Sequence, residues 1–240
     1  IRNKKKLNSF IKFANPEIVF HLAAQPLILE GYQKPYFTYD VNTVGTLNML
    51  EEVRKNKKIK ALICITSDKC YESNNSTIGF KENDRVGGED PYSGSKACAE
   101  IIIKTYIKSF FINEKKQRGI ASARAGNVIG GGDWSPNRLI PDTVQSIIKN
   151  KKIFIRNPNF NRPWQHVLEP LYGYLVLGQK IYNNPKKFSG PWNFGTRKNT
   201  VTNVLEIVRE IVKIWGKGKI TFKKNNRYYE QINLQLNINK

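Results

Sequence analysis

Tyr92 and Lys96 stand four residues apart in the run Pro91-Tyr92-Ser93-Gly94-Ser95-Lys96. Four residues are about one helical turn, so the two side chains share a face if this run is helical. A phenol ionises near pH 10 unless perturbed (about 10), and a nearby ammonium favours its anion. The pair therefore offers a base for a hydroxyl proton and a cation that can also reach a ribose hydroxyl. Taken alone the pattern is short and weak. It gains meaning from Thr66-Ser67-Asp68-Lys69, which follows the apolar run Ala61-Leu62-Ile63-Cys64-Ile65. Here a hydroxyl, a carboxylate and an amine come in succession at the end of a strand-like segment. Ser67 can hydrogen-bond a reacting hydroxyl. Asp68 can serve as an acid and Lys69 as a base or electrostatic clamp, given shifts by burial and proximity. The plainer alternative is an Asx-type turn with a solvated lysine.

These groups need elements that bring them together. Glu17 to Ala24, Lys60 to Thr66 and Gly119 to Ala125 read as strands. Helical patterns lie between and after them. Leu7 to Ala14 is one, and Pro35 to Asn56 carries Val41, Val44, Leu47, Leu50 and Val53 at helical spacing. Pro91 to Phe111 and Leu139 to Lys149 are two more. Strands alternating with helices predict an α/β fold, a Rossmann-like parallel sheet covered on both faces. Ligands of such sheets lie outside the carboxyl ends of the strands. Ala23-Ala24-Gln25, Thr66 to Lys69 and Gly126-Asn127-Val128 all fall there, which argues for one shared site.

The second half is less regular. Ile153 to Ile155, Trp192 to Gly195 and Ile220 to Phe222 read as short strands, and Val167 to Tyr182 and Val201 to Trp215 as helices. We expect residues 1–150 to form a Rossmann domain carrying the catalytic groups. Residues 151–240 are expected to form a smaller substrate lobe interleaved with it. No Gly-x-Gly-x-x-Gly occurs, and Gly130-Gly131-Gly132 lacks the fingerprint spacing, so it reads as a turn lining the site.

The formal charge of +21 on 240 residues is extreme. A nucleic-acid partner is one reading. The lysines are scattered in pairs and triplets, such as Lys4-Lys5-Lys6 and Lys223-Lys224, with no aromatic RNA-binding motif. They read as solvated faces, with neither nucleic acid nor membrane as partner, on a surface that also attracts anionic small molecules. Cys64, Cys70 and Cys98 lack metal-ligand spacing and suit a reduced, cytoplasmic compartment. No metal is expected, and Cys70 reads as an apolar filler.

Longer runs make the pattern specific. They are His21-Leu22-Ala23-Ala24-Gln25-Pro26, Thr66-Ser67-Asp68-Lys69-Cys70-Tyr71 and Asp90 through Lys96. They continue with Arg124 through Trp134, Arg138-Leu139-Ile140-Pro141 and Arg162 through Pro170. In this order the chain resembles the extended short-chain dehydrogenase/reductase family, the NAD-dependent epimerases and dehydratases. Asp68-Lys69, the Gly-Gly-Gly-Asp-Trp turn and Arg162-Pro163-Trp164-Gln165-His166 are its narrower marks, and they are similar to those of the branch that dehydrates CDP-glucose.

The resemblance implies a mechanism. Tyr92, helped by Ser67 and Lys96, takes the 4-hydroxyl proton while C4 gives a hydride to NAD. Lys69 then removes the C5 proton, Asp68 protonates the departing 6-hydroxyl, and the hydride returns to C6. A basic Lys69 would have to be neutral, and neighbouring Asp68 opposes that. The resemblance also assigns Leu22, Ala23, Ala24, Thr66, Tyr92 and Lys96 to NAD. Gln25, Asn127, Arg138, Arg162 and His166 are assigned to CDP-glucose or a related nucleotide sugar. His21 is expected to be structural, and Trp134 and Trp164 to be packing residues. Helices 35–56 and 91–111 are expected to form a homodimer. The family begins with a strand and glycine-rich turn not seen before Ile1, and the segment from Tyr229 to Lys240 looks like the start of a longer closing stretch. The chain is accordingly expected to be partial, and a catalytically inactive basic fragment is the alternative to an enzyme. A sugar-nucleotide 4-epimerase or another dehydratase of the same family is the enzyme alternative.

Overall fold

A computed structural model describes residues 1–73, 79–196, 202–222 and 235–240 of the chain. Four parallel strands form its main sheet: β1 (Ile18–His21), β2 (Ala61–Ile65), β3 (Gly119–Ala125) and β8 (Gly190–Phe194), in the order β1-β2-β3-β8. The register pairs Ile18 with Ala61, Ala61 with Gly119, and Ala121 with Gly190. The first three strands therefore start level, and their carboxyl ends step outward from His21 to Ile65 to Ala125. β2 is apolar throughout, as a strand covered on both faces must be.

One face is covered by α1 (Lys4–Ala14), α4 (Gly45–Lys55) and α5 (Pro91–Tyr106), which bury Leu50, Val53, Ile59, Leu62, Ile103 and Phe111. The other is covered by α7 (Leu168–Asn183), whose Tyr174, Leu177 and Ile181 pack on Ile63, Ala121 and Ala123. Thus α7 and β8, although late in sequence, belong to the main sheet. A separate small core of Ile147, Ile153, Ile155 and Val208 joins α6 (Leu139–Ile148), β5 (Lys152–Ile155), α9 (Val204–Trp215) and β10 (Lys219–Phe222). This lobe is smaller than residues 151–240. It takes α6 from the first half and gives α7 and β8 back to the sheet.

The long helix expected over 35–56 runs without a break from residue 35 to residue 55. α2 (Ile28–Gln33) precedes it, α3 (Pro35–Tyr39) opens it, and a π turn over Asp40–Val44 joins α3 to α4. A second π turn, Ile107–Phe111, ends α5. The short elements between are β4 (Val128–Ile129), β6 (Asn161–Arg162), β7 (Gln165–His166), β9 (Thr202–Asn203) and α8 (Pro185–Phe188). The helix from Leu7 begins at Lys4, where Asn3 caps it. The start of the helix expected at Val201, Lys223-Lys224, and the closing stretch from Tyr229 to Leu234 lie outside the described residues.

Sequence chemistry fixes the start of α5. Asp90 Oδ1 accepts from the Tyr92 and Ser93 amides at 2.9 and 3.0 Å, and Pro91 stands where no amide is needed. Gly88 lets the incoming loop touch this first turn: a Cβ there would fall 2.2 Å from the Gly94 nitrogen.

Candidate active site

Beyond the carboxyl ends of β2 and β3 lies a cavity of about 910 Å³, between the sheet and the small lobe. Thr66, Ser67, Asp68, Lys69 and Tyr92 line it from the sheet side. Asn127 and the glycine turn 130–132 line it from the segment after β3, and Arg138 and Arg162 from the lobe side. Trp134 and Trp164, expected to pack, also line it, and Trp134 is exposed. Leu22, Ala23, Ala24, Gln25, Lys96 and His166 do not.

The sheet side is dense. A 3-10 turn over Asp68–Cys70 follows β2, and Ser67 caps it by accepting from the Lys69 amide at 3.2 Å. Ser67 Oγ donates to Asp68 Oδ1 at 3.0 Å. The phenol of Tyr92 is hydrogen-bonded to Ser67. Asp68 is buried and its Oδ2 has no hydrogen-bond partner. Burial raises its pKa, against the opposing pull of Lys69, Ser67 and Arg162. An upward shift of this kind is the direction that suits a general acid. Gly126 leaves room for it, because a Cβ there would stand 3.2 Å from that free oxygen.

Tyr92 departs from expectation in its ionisation. Burial lifts the phenol to about 12, the Ser67 hydrogen bond pulls the other way, and Asp68 adds to the rise. Lys96, also buried, is lowered to about 8 by desolvation, and its Nζ donates to the Ile65 carbonyl at 3.1 Å. Desolvation thus works against the charged form of both members of the pair. A phenolate needs further positive charge here.

Residues around the end of β1 take other roles. Gln25 Nε2 donates to Thr38 Oγ1 at 2.8 Å, its Oε1 accepts from the Leu27 amide, and its own amide donates to Asn42 Oδ1. Asn42 Nδ2 in turn donates to Ser95 Oγ at 2.9 Å, tying this loop to α5. His21 is buried with Nε2 3.1 Å from Thr46 Oγ1, and burial followed by the Lys96 charge lowers its pKa to about 4. It is held by a hydroxyl. Leu22, Ala23 and Ala24 present a partly open, apolar surface, which fits the flat faces of NAD better than a charged group. An ammonium carries three donors and Ile65 takes one of Lys96's, so the same region keeps donors for ribose hydroxyls. These residues fit the cofactor.

On the lobe side Arg138 Nη1 pairs with Asp133 Oδ2 at 3.0 Å, at the head of α6. Arg162 is buried, with its guanidinium 5.2 Å from the Phe160 ring centroid and Nη1 donating to the Asn161 carbonyl. His166 is exposed, and its Nδ1 accepts from the Leu168 amide at 3.3 Å. Among the described residues no group of three His, Cys, Asp or Glu is placed to hold a metal, and no helix is long and apolar enough to cross a membrane.

Sequence reasoning missed Glu100, Tyr71 and the side chain of Arg124, which lie buried behind this wall. One signal was available: Glu100 continues the four-residue spacing of Tyr92 and Lys96.

Residues 1–232 match the family model described as GDP-mannose 4,6 dehydratase. Over 219 residues, 90% of the chain, the sequence is 49% identical to the CDP-glucose 4,6-dehydratase of Salmonella typhimurium, of which the match takes in 61%. It is 26% identical over 204 residues to the UDP-glucose 4-epimerase of Mycoplasma pneumoniae, covering 81% of this chain and 60% of the epimerase. The chain thus spans about three fifths of the length of these curated relatives. The dTDP-glucose 4,6-dehydratase of Bacillus anthracis, solved in complex with NAD, is similar at a TM-score of 0.78 and 25% identity, over 99% of this chain and 68% of that one. The UDP-glucose 4-epimerase of Thermotoga maritima, solved with UDP-glucose, shares the fold at a TM-score of 0.83 and 18% identity, over 99% of this chain and 74% of that one.

Proposed function

The chain belongs to the GDP-mannose 4,6 dehydratase family, and on that premise we propose that it serves an NAD-dependent lyase converting CDP-glucose to CDP-4-keto-6-deoxyglucose. The observation that carries this reading is the buried Asp68, with one oxygen on Ser67 and the other unpartnered, in the wall that also holds Tyr92. Oxidation alone needs only Tyr92 and Lys96. A buried carboxyl beside them, its pKa raised by desolvation, is the kind of group that loss of water requires.

In this reading Leu22, Ala23, Ala24, Thr66 and Lys96 hold NAD. Bound there, NAD would supply the transient uptake of a hydride from C4 and its return at C6, while Lys96 would favour the anion of the Tyr92 phenol. Ser67 orients the 4-hydroxyl and Tyr92 accepts its proton. The ketone left at C4 makes the C5 proton acidic. Lys69 removes that proton while Asp68 delivers its own to the 6-hydroxyl, which departs as water. Arg162 and Arg138 face the diphosphate, for which a guanidinium supplies two parallel donors. Asn127 touches the sugar nucleotide from the turn after β3. Gln25 acts by shaping the loop, and His166 by capping the start of α7.

The 49% identity to a CDP-glucose enzyme supports the choice of CDP-glucose. We further propose a division into a sheet domain and a substrate lobe formed by α6, β5, α9 and β10. A homodimer through helices 35–56 and 91–111 is supported by the exposed Tyr36, Val44, Ile101 and Phe110.

The test is turnover of CDP-glucose by the complete protein in deuterium oxide. The expected product is a 4-keto-6-deoxy sugar nucleotide with solvent deuterium at C5. Product formed without label at C5 would overturn the elimination. If the protein is instead a 4-epimerase, as one similar protein is, it returns CDP-galactose and Asp68→Asn leaves its rate unchanged. A dehydratase so altered stalls with trapped NADH.

A further inference from the structure

Glu100 lies four residues beyond Lys96 and eight beyond Tyr92, on the same helix. It reaches neither the cavity nor solvent. Its two carboxylate oxygens accept three side-chain donors: Thr66 Oγ1 at 2.5 Å, Ser122 Oγ at 2.8 Å and Arg124 Nη2 at 2.6 Å. Arg124 carries the connection onward. Its Nη1 donates to Tyr71 Oη at 2.8 Å, and its guanidinium lies 4.8 Å from the Tyr71 ring centroid. Tyr71 Oη then donates to Asn193 Oδ1 of β8 at 2.6 Å.

The topology of these bonds is specific. Thr66 immediately precedes Ser67-Asp68-Lys69, and Tyr71 follows the 3-10 turn that contains them. One ion pair therefore grips both ends of the turn and joins it to the helix that carries Tyr92 and Lys96. A buried pair of this kind is poor evidence of stability, since apolar residues of equal volume often stabilise as much. What it supplies is direction: Thr66, Ser122 and Arg124 converge on one carboxylate, and Arg124 Nη1 reaches both Tyr71 and the Glu82 carbonyl at 3.0 Å.

We propose that Glu100 and Arg124 form a positioning clamp, with Thr66 and Tyr71 as its two jaws, that holds the Asp68–Lys69 turn in register with Tyr92. None of Glu100, Arg124 and Tyr71 touches the cavity, so they act through the residues that do. The clamp rests on the reading of those residues given under Proposed function. Oxidation at C4 and loss of water from C5 and C6 use groups on two different elements. Loosening one jaw separates the two steps.

Tyr71→Phe opens the far jaw with least disturbance, because it keeps the ring stacked 4.8 Å from Phe80 and leaves Glu100 and Arg124 paired. Glu100→Gln is the harsher variant. Each is made in the complete protein and followed in two ways. Hydrogen exchange of the amides from residue 67 to residue 71 is expected to speed up several-fold while β2 and β3 stay protected. In turnover of CDP-glucose, kcat is expected to fall about tenfold for Tyr71→Phe and about a hundredfold for Glu100→Gln, the scale of an ångström of misplacement. KM should stay within about twofold, and the fraction of enzyme trapped as NADH should rise. Unchanged exchange at 67–71 in Tyr71→Phe overturns the clamp, whatever the enzyme's activity. Faster exchange with an unchanged NADH fraction overturns its link to the chemistry. If the unaltered protein does not dehydrate CDP-glucose, the proposed reaction fails, while the exchange measurement still decides the clamp.

Discussion

On the sheet side of the cavity Ser67, Asp68 and Tyr92 are each less than a tenth exposed, and their polar atoms answer to one another. On the lobe side Trp134 is 59% exposed, and Arg138 shares its charge with Asp133 near water. The first wall shifts proton affinities because water is kept from it: Asp68 up, Tyr92 up, Lys96 down. The second wall offers charge and aromatic surface, open to water at Trp134 and Arg138 and buried at Arg162. Burial buys altered proton chemistry, and exposure keeps a binding surface that a charged ligand can enter. The contrast supports the proposed division, with chemistry on the sheet side and recognition on the lobe side.

The largest effect should come from the sheet wall. Tyr92→Phe is expected to lower kcat by about 10²–10⁴-fold, the usual contribution of a positioned acid or base, with KM little changed in steady-state assays. A rise in KM at unchanged kcat would reverse the assignment of the two walls.

Next comes acid sensitivity of the sheet region. The unfolded chain protonates His21 near pH 6.5, but the folded chain resists until about pH 4, because the ring is buried beside Lys96. Between those values the unfolded state binds more protons, so stability falls as pH drops through the window. The full difference amounts to about 3 kcal/mol. Thermal melts from pH 7 to pH 4 should show this loss, and His21→Gln should reduce the slope. An unchanged slope would detach His21 from the acid response.

Arg162→Ala probes the lobe wall. Losing charged hydrogen bonds to a diphosphate is expected to cost about 2 kcal/mol, roughly thirtyfold in KM, with kcat kept. Equal losses in kcat would place Arg162 among the chemical groups.

The smallest effects sharpen the contrast through two helix caps. Asn203 accepts from the Glu206 amide at 2.9 Å at the head of α9, and Asp90 caps α5. Each truncation to Ala should cost about 1 kcal/mol of stability. Only Asp90→Ala should also lower kcat, since Tyr92 sits in the turn that Asp90 holds. Matching kcat for the two variants would show that the α5 cap does not position Tyr92.

Much of this was legible in the sequence because it is local. The apolar run Ala61–Ile65 reads as a buried strand, and Asp90-Pro91 reads as a helix start. Thr66 to Lys69 falls at a strand end, where sheets of this kind place their ligands. What stayed hidden depends on distant partners. The π turns at Asp40–Val44 and Ile107–Phe111 keep a helical pattern of side chains, so periodicity passes over them. Trp192 to Phe194 is too short to reveal that it pairs with β3. The pKa of Tyr92 follows from what covers it, which a four-residue spacing does not disclose. Glu100 looks like a surface glutamate of a helix until Arg124, on strand β3, is brought beside it.

Tyr92, Lys96 and Glu100 ride on one uninterrupted stretch of α5. A helix advances about 1.5 Å per residue, so the three span about 12 Å of a single stiff rod. No hinge lies between them, and none can shift alone. Slippage of that rod by one residue would displace the phenol, the ammonium and the carboxylate together. Failure of this machine under heat should therefore be abrupt, with turnover and the fold of α5 vanishing in one step, and no half-working catalyst left between.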